Sequence, residues 1–152
     1  MSKFFIGSAT HKLDAKGRVS LPSDFRDVLR FEGVPDRFVL VPAGEGGDFH
    51  TAFTKPGHER LVKRLSKTKF SSDDEEFLTR QRYIWNAKPI AVEDTGRFVL
   101  SQELRNQLGL TDQAYFLGDG PTFQIWEPGR FAALDGKHSG AEPKKLNLAR
   151  MI

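Results

Sequence analysis

The chain contains no cysteine, and that absence excludes a disulfide framework, a thiolate zinc site and a cysteine nucleophile together. A reducing cytoplasm suits such a composition. Long apolar runs are also missing: residues 1–7 hold too short an apolar stretch for a signal peptide, and nothing elsewhere approaches the length that spans a bilayer. The expectation is a soluble, intracellular protein with no membrane contact. Histidine is sparse, and His11, His50, His58 and His138 show no ligand spacing, so no metal site is expected. No serine lies in a nucleophile elbow, and carboxylate pairs are no denser than composition dictates. The sequence therefore argues against an enzyme and calls for no cofactor.

What is present is a core and a repeat. With 38% apolar residues and thirteen Phe among 152 positions, the chain can build one compact domain or two small units sharing one core. The net charge of +3 leans mildly towards anionic partners. More telling, Leu13-Asp14-Ala15-Lys16-Gly17-Arg18-Val19-Ser20-Leu21 returns as Val92-Glu93-Asp94-Thr95-Gly96-Arg97-Phe98-Val99-Leu100, and residues 23–29 align without a gap on residues 102–108. A duplicated supersecondary unit predicts a pseudo-symmetric body.

Each copy reads as strand, sharp Gly-Arg turn, second strand and short helix. Asp14-Ala15-Lys16-Gly17 has the acid that opens a type I turn and the glycine that completes a hairpin; Glu93-Asp94-Thr95-Gly96 can do the same. Pro22 and Ser23 open one helix with Phe25, Val28 and Leu29 on its inner face. Ser101 opens the other with Leu104 and Leu108 inward, and Gly109 ends it. A further strand pair closes each copy: 37–41 with 49–53, and 114–117 with 123–126. Both copies then reach a Pro-Gly pair, Pro56-Gly57 and Pro128-Gly129. Between them, residues 58–67 form a basic helix with Leu61 and Leu65 inward, and Ser72 caps a second helix with Phe77, Gln81, Ile84 and Trp85 on one stripe. The division is a first repeat over 1–56, a helical connector over 57–88, a second repeat over 89–134, and a mobile basic tail over 135–152 ending in a short helix near Leu146 to Met151.

Strand parity sorts the turn residues. Val19 and Leu21 point inward, which leaves Arg18 and Ser20 outside; on the incoming strand Leu13 faces in and Lys12 and Asp14 face out. Lys12, Lys16 and Arg18 thus converge on one exposed hairpin. Cationic side chains on a two-stranded ribbon have the size and charge to meet phosphates and enter a DNA groove. A second reading stays open, in which Asp14 and Arg18 pair across the turn and hold its shape. The second turn offers Arg97 against Glu93 and Asp94, so phosphate binding falls mainly to the first. His11 shares the inward parity of Leu13 and reads as a structural histidine. Gly44-Glu45-Gly46-Gly47 lacks the lysine and serine of a phosphate loop and reads as a hairpin connection.

These motifs, with Phe25-Arg26, Leu104-Arg105 and the closing Phe123-Gln124-Ile125-Trp126, resemble the MraZ family of bacterial transcriptional regulators over about residues 1–134. The resemblance implies an α+β, mostly β fold: two AbrB-like repeats joined as a pseudo-two-fold swapped-hairpin barrel with short helices, assembled into a homo-oligomeric ring. It also implies a nucleoid-associated regulator that binds direct repeats in its own promoter, upstream of the division and cell wall genes. The family's Asp-x-x-Gly-Arg motif falls on Asp14, Gly17 and Arg18, and in the second copy on Gly96 and Arg97, with Glu93 where Asp is common. Glutamate's longer side chain folds back on the backbone less readily. The rival function is an oligomeric scaffold or antitoxin-like module that leaves DNA alone.

Overall fold

The computed structural model describes residues 3–140 and 148–152. In chain order the first repeat supplies β1 (Ser8–Lys12), β2 (Arg18–Ser20), α1 (Ser23–Phe31), β3 (Arg37–Ala43) and β4 (Phe49–Thr54), followed by α2 (Lys55–Ser66) and α3 (Asp73–Arg80). The second supplies β5 (Lys88–Ala91), β6 (Arg97–Val99), α4 (Gln102–Leu108), β7 (Gln113–Asp119) and β8 (Thr122–Trp126), followed by α5 (Pro128–Lys137) and α6 (Leu148–Met151).

The helices start where their sequences direct. The Pro22 carbonyl accepts from the Phe25 and Arg26 amides to begin α1, whose Phe25, Val28 and Leu29 are buried. In α4 the Ser101 hydroxyl accepts from the Leu104 amide, Leu104 and Leu108 are buried, and Gly109 ends the helix at φ +71°. Both Pro-Gly pairs open helices: Thr54 caps α2 through the Gly57 amide, and the Glu127 carboxylate caps α5 through the Gly129 and Arg130 amides. Ser72 accepts from the Glu75 amide at the head of α3, where a run of acids faces the positive end of the helix.

The strands are all paired antiparallel. Six form one sheet in the order β1-β7-β8-β4-β3-β5, and β2 pairs with β6 as a separate ribbon. Read by repeat, the order is symmetric about the β4–β8 pair, and the first strand of each repeat lies against the hairpin of the other. This differs from the expected closed barrel. The ladder ends at β1 and β5, and the ribbon packs beside both without joining either. It also corrects the expected pairing of strands across each Gly-Arg turn: β1 lies along β7 with Lys12 opposite Gln113, while β2 lies along β6 with Val19 opposite Phe98. The cause is local. The Asp14 amide donates to the Arg18 carbonyl at 3.0 Å and closes the turn, but the Gly17 carbonyl then accepts from Leu100 and the Gly96 carbonyl from Leu21, each at 2.8 Å. Each outgoing strand is drawn to the other repeat within one residue of its glycine.

The core is shared in the same way. Phe123 of β8 packs on Phe5, Phe25 and Phe38 at 5.0, 5.1 and 5.3 Å between ring centres, and Phe38 meets Phe98 of the ribbon edge-on at 5.2 Å. Fully burying each such side chain is worth roughly 1.5–3 kcal/mol, and none of these contacts between repeats survives if one copy is removed.

Two segments depart from their sequence reading. The stripe in the connector is not one helix, because α3 stops at Arg80 and a π-helical turn spans Gln81–Trp85. Phe77 and Trp85 meet edge-to-face at 5.0 Å yet remain 55% and 54% exposed, a surface pair rather than core. At the other end α5 continues to Lys137, so the segment read as a mobile tail begins helical; Lys144, Lys145 and Leu146 lie outside the described residues. No helix among the described residues is long and apolar enough to cross a membrane.

Candidate nucleic-acid interface

The ribbon β2–β6 carries the two Gly-Arg turns at its ends, and its parity is as the sequence indicates. Val19, Leu21 and Phe98 are buried at 1–3% exposure. Arg18, Ser20, Arg97 and Val99 therefore form the outer face, with Arg18 opposite Val99 and Ser20 opposite Arg97. Arg18 and Arg97 are about equally open, at 42% and 43%.

Asp14 organises this surface. Its Oδ1 accepts from the Lys16 amide at 2.9 Å and from the Arg18 amide at 2.8 Å, while Oδ2 accepts from Arg18 Nε at 2.8 Å. The Arg18 amide first and its guanidinium next hold the Asp14 carboxyl at about 2, below the usual 3.8. The same Oδ2 lies 3.8 Å from an Nη of Arg97. One carboxylate thus faces an arginine from each repeat. The pairing reading of Asp14 and Arg18 is present in the structure, and it leaves both terminal nitrogens of the Arg18 guanidinium without a partner among the described residues.

The second turn is closed by backbone alone. The Glu93 amide donates to the Arg97 carbonyl and the Gly96 amide to the Glu93 carbonyl, both at 2.8 Å, but the Glu93 side chain makes no such bond among the described residues. Gly17 and Gly96 are buried, with φ of +84° and +85°, and fill matching places. Lys12, at the end of β1, and Lys16, at the turn, are exposed and form no ion pair among the described residues. Of the expected site residues, the structure brings Asp14, Arg18 and Arg97 into one cluster and leaves Lys12 and Lys16 standing free beside it.

Sequence reasoning missed two participants. Arg105 of α4 donates through Nε to the Leu100 carbonyl of its own repeat at 3.0 Å and reaches into the first repeat through Nη1, which donates to the Ala15 carbonyl at 3.3 Å. Arg26 of α1 does the reverse, donating to the Asp94 carbonyl at 2.6 Å. Each also occupies the space beside the opposing glycine: a Cβ at Gly17 would lie 2.9 Å from Arg105 Nε, and one at Gly96 would lie 2.7 Å from Arg26 Cδ. The signal was available, since these arginines occupy equivalent positions in the two copies.

The remaining candidates sit elsewhere. His11 donates through Nδ1 to the Ser20 carbonyl and packs on Phe116 at 5.5 Å, tying β1 to the ribbon as a structural histidine. His50 is 1% exposed, and burial pulls its imidazole down to about 4. A cleft of about 650 Å³ lies between the 44–47 loop and the π-turn and includes none of the Gly-Arg turn residues. Among the described residues no group of three His, Asp or Glu could hold a metal ion.

No protein-family profile matches the chain. Curated relatives do. It is 35% identical over 129 residues to the "Transcriptional regulator MraZ" of Parvibaculum lavamentivorans, covering 85% of this chain and 79% of that one. To the protein of the same name from a Ruegeria species it is 32% identical over 154 residues, 96% of this chain and 88% of the relative. A third, from Beijerinckia indica, is 35% identical over 133 residues, 84% and 76% of the two chains. Identity of 32–35% over 84–96% of this chain places it in the MraZ family of transcriptional regulators.

Proposed function

We propose that the protein regulates transcription by binding double-stranded DNA through the outer face of the β2–β6 ribbon and its turns. The observation that carries this reading is the placement of Arg18 and Arg97, from different repeats, diagonally across the outer face of one two-stranded ribbon, both facing Asp14. Such a ribbon fits a major groove, and its arginines suit phosphates or guanine edges. Lys12, Lys16 and Arg18 supply most of the positive charge, Arg97 adds to it, Asp14 orients both arginines, and Gly17 and Gly96 shape the turns. The interleaved strand order supports an AbrB-like swapped-hairpin kinship, with 1–56 and 89–134 as the two repeats, 57–88 as a connector and 135–152 as a tail. One such surface neutralises few phosphates and binds weakly. A homo-oligomeric ring placing several copies on direct repeats in the promoter of the division and cell wall genes gains effective concentration, and it would act in the cytoplasm on the nucleoid.

Titration of the DNA immediately upstream of the coding sequence, at salt from about 50 to 200 mM, tests the reading. Log affinity should fall linearly with log salt, with a slope of about −0.9 per phosphate engaged. Absence of binding at the lowest salt would instead favour a scaffold.

A further inference from the structure

We infer that Arg105 and Arg26 are positioning residues that act across the duplication, each fixing the turn of the repeat to which it does not belong. Three observations converge. Each arginine donates to a backbone carbonyl of the opposing turn, Arg105 to Ala15 and Arg26 to Asp94, and Arg105 also holds the carbonyl of Leu100 in its own repeat, whose amide donates to the Gly17 carbonyl. Each packs so close to the opposing glycine that a Cβ there would lie within 3 Å of it, so the glycine and the arginine are complementary parts of one joint. And the pair sits at equivalent positions of α1 and α4, anchored beside the buried Phe25 and Leu104.

The chemistry requires arginine. A planar guanidinium donates in several fixed directions, so Arg105 can hold two carbonyls at once; an ammonium on a flexible stem has no such fork. Guanidinium N–H groups bonded to carbonyls are not free to donate to a phosphate, so the clamps keep the ribbon's outer face in place rather than adding a contact to it. The consequence is reciprocal: loosening a residue of the second repeat disturbs the first turn, and the reverse.

The effect on DNA rests on the DNA-binding reading above, whereas the crossing of the clamps does not, and the experiment separates them. Arg105→Gln, Arg105→Lys and Arg26→Gln are made in the full chain, with amide exchange followed at Lys16 and Gly17 and at Thr95 and Gly96. In parallel, affinity for the upstream duplex is measured across a salt series. Arg105→Gln should speed exchange at Lys16 and Gly17 about tenfold and leave Gly96 unchanged, and Arg26→Gln should do the opposite. Arg105→Gln should weaken DNA binding about tenfold with the salt slope unchanged, and Arg105→Lys should not restore it. Faster exchange in the variant's own turn, or none, overturns the inference. So does a salt slope reduced by about one ion with full recovery in Arg105→Lys, which marks a direct phosphate contact. If the parent protein binds no DNA, the DNA reading falls and the exchange pattern alone decides the clamps. Should Arg105→Gln not fold, Arg105→Lys carries the same exchange measurement.

Discussion

The two Gly-Arg turns share a backbone and differ in how it is held. The first is braced by the Asp14 carboxylate, which satisfies two amides and Arg18, and by Nη1 of Arg105 on the Ala15 carbonyl. Among the described residues the second has its closing backbone bonds and one side-chain bond, from Arg26. The duplication gives both copies one backbone, and the side chains then differ: Asp14 ties the first turn to its own amides and to Arg18, whereas among the described residues Glu93 makes no such bonds in the second. Asp14 also reaches Arg97 across the ribbon, so the positive surplus expected on the first turn is shared between the copies and offset by one carboxylate.

The comparison breaks most visibly at the glycines. Gly17→Ala places a methyl at φ +84° directly on the Leu100 carbonyl, backbone that cannot move aside. A loss of about 3 kcal/mol in urea unfolding is expected. Gly96→Ala meets the same backbone strain, but its methyl presses on the Arg26 side chain at 2.7 Å, which can swing away, so a loss nearer 1 kcal/mol is expected. Equal losses would mean the turns are equally constrained.

Next comes the acid at the head of each turn. Asp14→Ala removes acceptors for two amides and two arginines and should lower the melting temperature clearly; Glu93→Ala should leave it unchanged. Asp14 is held at about 2 against 3.8, and its lowered value means its stabilisation is complete above about pH 4 and lost as pH falls towards 2. Asp14→Asn should therefore flatten stability in that acid window and nowhere above it.

A separate effect, seen only as the pH is lowered, comes from outside the turns. His50 is held neutral by burial, at about 4 against 6.5, so protonation favours the unfolded chain and stability declines as pH falls from 6.5 through 4. The decline attributable to this group is on the order of 2–3 kcal/mol. His50→Phe should remove that limb of the stability profile while leaving the Asp14 limb below it, which urea midpoints at half-unit pH steps would resolve.

Much of this was legible in the sequence because it is local. Turn chemistry at Asp14 to Gly17, the inner faces Phe25-Val28-Leu29 and Leu104-Leu108, and the parity that sets Arg18 outside all follow from periodicity and residue type within a few positions. Strand pairing was not, because the signals for a hairpin are met by the single Asp14–Arg18 backbone bond while the ladder forms with the other repeat. Arg26 and Arg105 stood out in the sequence only as matching positions of the two copies, since the Asp94 and Ala15 carbonyls they hold lie far away in the chain. The π-turn at Gln81–Trp85 left no mark either, because its apolar residues keep a helical spacing while only the backbone widens.

The most direct test of the central claim is the affinity of Arg18→Ala and Arg97→Ala for the upstream DNA, measured by gel shift at one fixed salt with the mass in solution confirmed equal. Arg18→Ala is expected to lose at least about tenfold more affinity than Arg97→Ala, since a phosphate or guanine contact made by a pre-oriented arginine is worth about 1–3 kcal/mol. Equal losses, or no loss in either, would contradict a DNA-binding surface led by the first turn.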